Sequence, residues 1–156
     1  MSKPETLWDL CELTAEAIET RPLNYCQNFW AHDAKECLED VNEDLAEEAC
    51  GTAFCRAGWM YAFLHEDVVT VEEWENLEHQ EIYQKMRALL ESAGIPTTAV
   101  VPLFSGENGR DGHENHPYHP NLSKLQRGTK EYAQIGADGM RKFMQQYEKE
   151  LKSAKL

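Results

Sequence analysis

The chain has 156 residues with 28 acidic and 15 basic side chains, which give a net charge of −13. This excess argues against direct nucleic-acid binding, because phosphate recognition needs a basic surface. No apolar run approaches the roughly 18 residues of a membrane span, and five cysteines without an export signal predict reduced thiols in a cytoplasmic protein.

The length fits one domain, residues 1–156, with its own hydrophobic core. Charge is uneven along it: residues 1–93 hold 21 acids against 6 Lys and Arg, while residues 94–156 hold 7 against 9. We therefore expect an all-α domain whose first two thirds are strongly acidic. Apolar spacing and capping residues predict about five or six helices, over residues 4–20, 36–49, 52–65, 70–93, 97–104 and 129–151.

The first predicted helix begins at Pro4, where Ser2 and Glu5 have the spacing of a capping box, and it ends before Arg21 and Pro22. Residues 23–30 are aromatic-rich without a clear period, so we predict an irregular segment there.

Residues 36–49 form the clearest amphipathic pattern in the chain. Leu38, Val41, Leu45 and Ala49 share one face at 100° per residue. The opposite face collects the acids, namely Glu36, Glu39, Asp40, Glu43, Asp44 and Glu47, with Glu48 at its margin. Few Lys or Arg balance these charges, and like charges on one helix repel each other. The pattern is typical either of a solvated helix side or of a surface that binds a basic protein.

Residues 52–65 are apolar on every side apart from Arg56, so this helix is predicted to lie buried at the centre of the fold, with Thr52 as its N-cap. Around its start, the pattern C-G-T-x-x-C-x-A-G-W from Cys50 to Trp59 resembles a group of small uncharacterised proteins of bacteriophages and bacterial genomes. Residues 88–104 and 133–143 also resemble that group. The resemblance implies a phage or bacterial origin and no established activity.

Thr70 and Glu73 predict the start of a long helix that Gly94 and Pro96 close, with a kink near residues 76–79. Residues 105–122 contain three Gly and two Pro, with almost nothing to bury, and predict a long polar loop. The last helix is predicted to turn Tyr132, Gly136, Gly139, Phe143 and Tyr147 inward.

The cysteines and histidines of the chain suggest an alternative function, based on a metal or a reactive thiol. Cys50 and Cys55 flank a helix start, whose dipole would lower the pKa of Cys55, and His113, His116 and His119 recur every third residue. Together they would offer a mixed zinc site, although Pro117 and Pro120 interrupt the histidines and the cysteine spacing is wider than in common zinc motifs. Structural thiols and a polar loop are the competing interpretation, under which no cofactor is needed.

Two functions follow from these patterns. In the first, the acidic helix docks on a basic host protein, or mimics DNA toward it, and the protein acts without catalysis in the host cytoplasm. In the second, Cys50, Cys55 and the histidine loop make a small metal- or thiol-dependent enzyme or sensor. The partner and the oligomeric state do not follow from the sequence.

Overall fold

A computed structural model gives the fold and describes residues 3–28, 31–39, 41–65, 71–77, 79–107 and 116–156. Its helices are α1 (Leu7–Thr20), α2 (Ala34–Glu39), α3 (Glu43–Glu48), α4 (Arg56–Leu64), α5 (Val71–Glu75), α6 (His79–Ser92), α7 (Thr97–Phe104), α8 (Lys130–Gln146) and α9 (Glu148–Ser153). Two short strands, β1 (His32–Asp33) and β2 (Thr52–Ala53), and two 3-10 turns, Pro22–Asn24 and Leu122–Lys124, complete the described elements. The prediction of a mostly α-helical protein is confirmed.

Three of the six predicted helices are divided, which accounts for the nine observed among the described residues. The 36–49 helix splits into α2 and α3, because the Asn42 side chain accepts a hydrogen bond from Leu45 N and caps a new helix there. The predicted kink falls between α5 and α6. Tyr147 separates α8 from α9.

Helix α1 starts three residues later than predicted. Thr6 and Asp9 form the capping box: the Thr6 hydroxyl accepts from Asp9 N at 3.2 Å, and the Asp9 carboxylate accepts from Thr6 N at 3.2 Å. Ser2 lies outside the described residues. Thr6 is instead extended, and the chain around it bonds to the segment after α9, through Leu7 N to Ala154 O and Leu156 N to Glu5 O.

The central helix is also shorter than predicted, because Thr52 does not cap it. Strand β2 pairs antiparallel with β1, in the register His32 with Ala53 and Asp33 with Thr52. Helix α4 begins only at Arg56, where the Cys55 sulfur accepts a hydrogen bond from Gly58 N at 3.4 Å. Its first six residues are buried against α1, α6 and α7, so its predicted central position is correct.

Helix α8 packs along α1 and presents the predicted inward face. Tyr132, Gly136, Gly139 and Phe143 are all buried, and Tyr147 is partly so. Two of these positions need glycine for close approach: a Cβ on Gly136 would overlap the Tyr25 ring, and one on Gly139 would overlap the carbonyl oxygen of Tyr118.

The described parts of the predicted loop, residues 105–107 and 116–122, contain no α-helix, but they bury more side chains than predicted. Glu107, Tyr118, His119 and Leu122 are all buried, and His119 and Leu122 are fully so. The segment folds back onto the core because Tyr118 packs edge-on against Phe143. Residues 108–115 lie outside the described part.

A small second cluster of buried side chains lies beside the main core. It joins α2 and α3 to the strands and comprises Cys26, Ala34, Cys37, Leu38, Ala46, Ala49 and Ala53. Across the described residues, no helix combines the length and the apolar character that a bilayer crossing needs.

Candidate functional site

We call the acids of residues 36–48 the acidic segment, and those that the structure describes lie on the two short helices α2 and α3. Five of the six predicted binding residues are described, and all five are exposed: Glu36, Glu39, Glu43, Asp44 and Glu47, as is Glu48. Asp40 lies outside the described residues. The single continuous face expected from helical periodicity is therefore divided, while the exposure of its described acids is as predicted.

Local capping explains why the chain breaks there. The Asp33 carboxylate accepts a hydrogen bond from Glu36 N at 3.1 Å at the start of α2. The Asn42 amide oxygen accepts from Leu45 N at 3.2 Å at the start of α3. Glu43 and Asp44 then occupy the first turn of α3, where the helix dipole favours negative charge.

Few cations balance the acidic segment. Among the described residues, Glu36 Oε2 lies 3.2 Å from His32 Nε2. No described Lys or Arg forms a salt bridge with the other described acids, Glu39, Glu43, Asp44, Glu47 and Glu48. Apart from Glu36, the described acids of the acidic segment are therefore exposed and have no salt bridge within the described part of the chain.

Val41 lies between α2 and α3 and differs from the sequence prediction. It was expected to face the core with Leu38 and Leu45, yet 41% of it is exposed. The break at Asn42 changes the helical phase, so a side chain placed inward by one continuous helix is turned outward. Val41 thus puts apolar surface among exposed carboxylates.

The two cysteines proposed as ligands occupy different environments. Cys50 is exposed, whereas Cys55 is buried as the N-cap of α4. Burial raises the pKa of Cys55 to about 12, because desolvation of the thiolate outweighs its hydrogen bonds from Gly58 and Ala57. The predicted lowering of the Cys55 pKa is therefore wrong, and Cys55 stays a thiol at neutral pH.

His116 and His119 take part in a polar cluster, in which Arg56 and His119 are fully buried and Ser105 and His116 are half-buried. Arg56 is completely buried, and all five of its N–H donors have acceptors. Nε and Nη2 bond to Gly136 O, Nη2 also to Tyr118 O, and Nη1 to Leu103 O and to His119 Nδ1, at distances from 2.8 to 3.1 Å. Arg56 thereby joins α4, α7, α8 and the 116–122 segment.

These bonds fix the tautomer of His119. Arg56 has only donors, so His119 Nδ1 accepts, at 2.8 Å. The carbonyl oxygen of Gly106 accepts from His119 Nε2 at 2.8 Å. Burial, with the nearby Arg56 charge, lowers the pKa of His119 to about 2. The ring is therefore neutral, and neither nitrogen has a free lone pair for a metal.

Ser105 and His116 resemble a catalytic dyad in distance, with 2.8 Å between Oγ and Nε2. In a catalytic dyad the serine hydroxyl would donate to the histidine ring, but here the hydrogen bonds run in the opposite direction. His116 Nδ1 accepts from Tyr118 N and His119 N, each at 3.1 Å, which leaves the proton on Nε2. Ser105 donates its hydroxyl to Pro102 O at 2.9 Å. His116 therefore donates to Ser105 and does not act as its base, so the dyad is structural.

The candidate zinc ligands do not form one site in the described part of the chain. His113 lies outside it, Cys50 is exposed, and His116 and His119 use both ring nitrogens in core hydrogen bonds. Nowhere among the described residues do three or more His, Cys, Asp or Glu side chains form a group that would hold a metal ion.

Sequence reasoning missed the buried hydrogen-bond network around Arg56 and a second pair, in which the buried Glu107 bonds to the partly buried Arg127. Glu107 Oε1 accepts from Arg127 Nε at 2.6 Å and from the Tyr132 hydroxyl at 2.7 Å. The available signal for Arg56 was its position as the only charge within an otherwise apolar stretch. Glu107 gave no such signal, because it stands in a Gly-rich segment.

Another acidic feature is an open groove between α1 and α8. Glu12 and Glu16 line it and are exposed, while Glu19 pairs with Arg141 and Lys152 lies 4.6 Å from the centre of the Trp8 ring. Cations of the chain itself therefore already occupy part of the groove, in contrast to the acidic segment.

Comparisons of this chain with protein-family models, with curated proteins and with solved structures find no match.

Proposed function

We propose that this protein acts by binding, and that its acidic segment docks on a basic protein. The observation that carries the proposal is that, among the described residues, no Lys or Arg forms a salt bridge with the exposed carboxylates on α2 and α3. The resemblance of the Cys50–Trp59 motif to phage proteins is the reason for proposing a protein of the host cytoplasm as the partner. Direct contact with nucleic acid is not part of the proposal, given the net charge of −13.

The contrast with other helices supports this choice. On α6 the acids have partners one turn away, with Lys85 bonded to Glu81 at 3.3 Å and Arg87 to Glu91 at 3.2 Å. On α9, Lys152 bonds to Glu148 at 2.9 Å. Such pairs stabilise a helix by roughly 0.2–0.5 kcal/mol, and like charges destabilise it by similar amounts. The described acids of the acidic segment form no such pairs with Lys or Arg. A basic partner would supply the Lys or Arg side chains for these pairs.

Val41 adds a short apolar contact to the electrostatic attraction. Interfaces are commonly apolar at the centre and polar at the rim, and charged rims mainly raise the association rate. An exposed valine flanked by carboxylates fits that arrangement. We therefore expect Val41 to slow dissociation and the acids to speed association.

The experiment compares three immobilised forms in a bacterial lysate at low and high salt. The neutralised variant carries Glu39→Gln, Glu43→Gln, Asp44→Asn and Glu47→Gln, and leaves the Glu36–His32 pair intact. The control variant removes the same number of exposed charges elsewhere, through Glu5→Gln, Glu12→Gln, Glu16→Gln and Glu131→Gln.

The proposal predicts a protein of basic isoelectric point that wild type and the control variant retain at low salt and that the neutralised variant loses. Equal retention by the neutralised variant would contradict it. Loss from the control variant alone would move the binding site to the α1–α8 groove. Competition by double-stranded DNA for the same partner would identify the docking as DNA mimicry.

A further inference from the structure

The 116–122 segment lies on the core without forming an α-helix. Its buried side chains are those of Tyr118, His119 and Leu122, and the others are exposed or half-buried. The Tyr118 ring packs edge-on against Phe143, with 5.8 Å between the ring centroids. A short segment that is held by so few buried side chains opens locally more easily than packed helices do.

Arg56 holds this segment on the core. Its Nη1 donates to His119 Nδ1 and its Nη2 donates to Tyr118 O, each at 2.8 Å. The first bond needs a neutral ring, because a guanidinium has only donors and a protonated imidazole also has only donors. Protonation of His119 therefore replaces a hydrogen bond with two facing N–H groups on side chains of like charge.

His116 also holds the segment through a neutral ring. Its Nδ1 accepts from the backbone N–H groups of Tyr118 and His119, each at 3.1 Å, and these two bonds form the turn at the start of the segment. The His116 ring stacks on the His119 ring, with 3.5 Å between the centroids. Protonation at His116 Nδ1 removes both backbone bonds, and protonation of both rings stacks two cations.

The charges that face the segment are positive. Helix α4 contributes Arg56, and α8 contributes Lys142, whose Nζ donates to Pro117 O at 2.9 Å. Helix α7 carries no charged side chain. Glu107 bonds to Arg127, and no carboxylate in the described part of the chain forms an ion pair with either histidine. The closed segment therefore offers the protonated rings no counter-charge there.

We propose that the 116–122 segment is an acid-released latch, which leaves the core when His116 and His119 take up protons while the helices stay folded. In the open segment both rings are hydrated and bind protons readily. In the closed segment, burial and the Arg56 charge lower the pKa of His116 to about 4 and that of His119 to about 2. The open segment thus holds more protons, and falling pH favours it.

Opening changes the surface of the protein. It uncovers the face of Phe143 against which Tyr118 packs, and it frees the Arg56 N–H groups that bond to His119 and to Tyr118 O. Acid therefore exposes apolar and cationic groups that are covered at neutral pH. This property is separate from the proposed docking, because the latch closes on α4 and α8 while the acidic segment lies on α2 and α3.

Amide hydrogen exchange of the full chain at pH 6.5 and 5.5 tests the latch, with protection factors that correct for the pH dependence of intrinsic exchange. The reporters are the amides of Tyr118, His119 and Leu122, whose hydrogen bonds lie within the segment. Because both rings reach the ordinary histidine pKa only in the open segment, the protection of these amides should fall by roughly 30-fold over this pH interval. At both pH values it should stay below that of the slowest amides of α1 and α8, which stay folded when the latch opens.

A double variant assigns the response to the histidines. His116→Asn with His119→Asn provides an amide oxygen as acceptor in place of each Nδ1 and does not titrate, so the protection of the segment should be the same at both pH values. In the control His32→Asn, which removes a partly exposed histidine on β1, the segment should respond to pH as in wild type.

Three results would overturn the latch. The first is a wild-type segment whose protection does not change between the two pH values. The second is a wild-type segment as protected as the slowest amides of α1 and α8, since it would then open only when the whole protein unfolds. The third is a double variant that keeps the wild-type pH dependence. The first two are measured on wild type and decide the question without any substitution.

Discussion

Arg56 and His119 share a hydrogen bond of 2.8 Å between Nη1 and Nδ1, and both side chains are completely buried. The other acceptors of Arg56 are backbone carbonyl oxygens rather than a carboxylate. The guanidinium therefore acts as a branched connector between segments that are distant in sequence, and we expect it to stabilise the fold rather than to take part in chemistry.

Replacing Arg56 with Met should lower the free energy of unfolding by at least about 3 kcal/mol. Several buried acceptors would lose their donor, and each such group costs roughly 1–3 kcal/mol. Urea denaturation measures the change. Arg87→Met on α6 is the control, since its ion pair with Glu91 lies at the surface, where such pairs contribute little to stability. A loss at Arg56 no larger than that of the control would contradict the assignment.

The histidines should make the protein less stable in mild acid. An unfolded chain binds protons on His116 and His119 as the pH falls below about 6.5. The folded protein leaves them neutral until about pH 4 and about pH 2 respectively, because burial disfavours the charged rings. The unfolded state thus holds more protons, and stability falls with falling pH by about 1.4 kcal/mol per unit for each histidine.

Urea titrations at pH 6.5 and 5.5 measure this change in a window where the carboxylates remain almost fully ionised. His119→Asn keeps an acceptor for Arg56 and removes one titrating ring, so its slope should be about half that of wild type. A wild-type stability that does not change across the window would show that the histidines are accessible to protons in the folded state.

The Gly139→Ala substitution tests the close approach of α8 to Tyr118, because its effect on the free energy of unfolding should be destabilising rather than stabilising. In an ordinary helix interior, Gly→Ala is stabilising by about 1 kcal/mol. Here the added Cβ would overlap the Tyr118 carbonyl oxygen and crowd the Arg56 guanidinium, so Gly139→Ala should instead cost at least about 2 kcal/mol. Gln145→Ala, at an exposed position of the same helix, should stay within about 0.5 kcal/mol of wild type. Stabilisation by Gly139→Ala would show that this close approach does not exist.

Periodicity predicted those parts of the fold in which a helix packs along its whole length. The inward positions Tyr132 and Phe143 follow from the 3.6-residue repeat, and the burial of Ala57 and Met60 follows from an apolar surround. It failed where one side chain redirects the backbone. Asn42 caps a new helix inside a run that reads as continuous, and this turns Val41 outward.

The remaining wrong predictions concern residues whose interaction partners are distant in sequence. Thr52 joins a strand because β1 lies beside it, and His119 is buried because Arg56 supplies a donor from 63 positions away in sequence. No local pattern contains either partner. The exposure of the acidic segment could be predicted, since unbalanced charges rarely enter a core, whereas its division between α2 and α3 could not.

Neutralising the acidic segment should leave folding nearly unchanged. Relief of like-charge repulsion stabilises α2 and α3 by a few tenths of a kcal/mol, while loss of Glu43 and Asp44 from the first turn of α3 removes a favourable dipole interaction of similar size. The neutralised variant should therefore unfold within about 1 kcal/mol of wild type in urea. A larger loss would mean that these carboxylates have a structural role.

The association rate of the neutralised variant with the purified basic partner tests the docking proposal most directly. With wild type and the control variant, the rate should be high at low salt and should fall as salt approaches physiological strength, where the Debye length is about 8 Å. With the neutralised variant it should be lower at low salt and should change little as salt rises. If the neutralised variant keeps the wild-type rate and the wild-type salt dependence, the acidic segment is not the surface through which this protein binds.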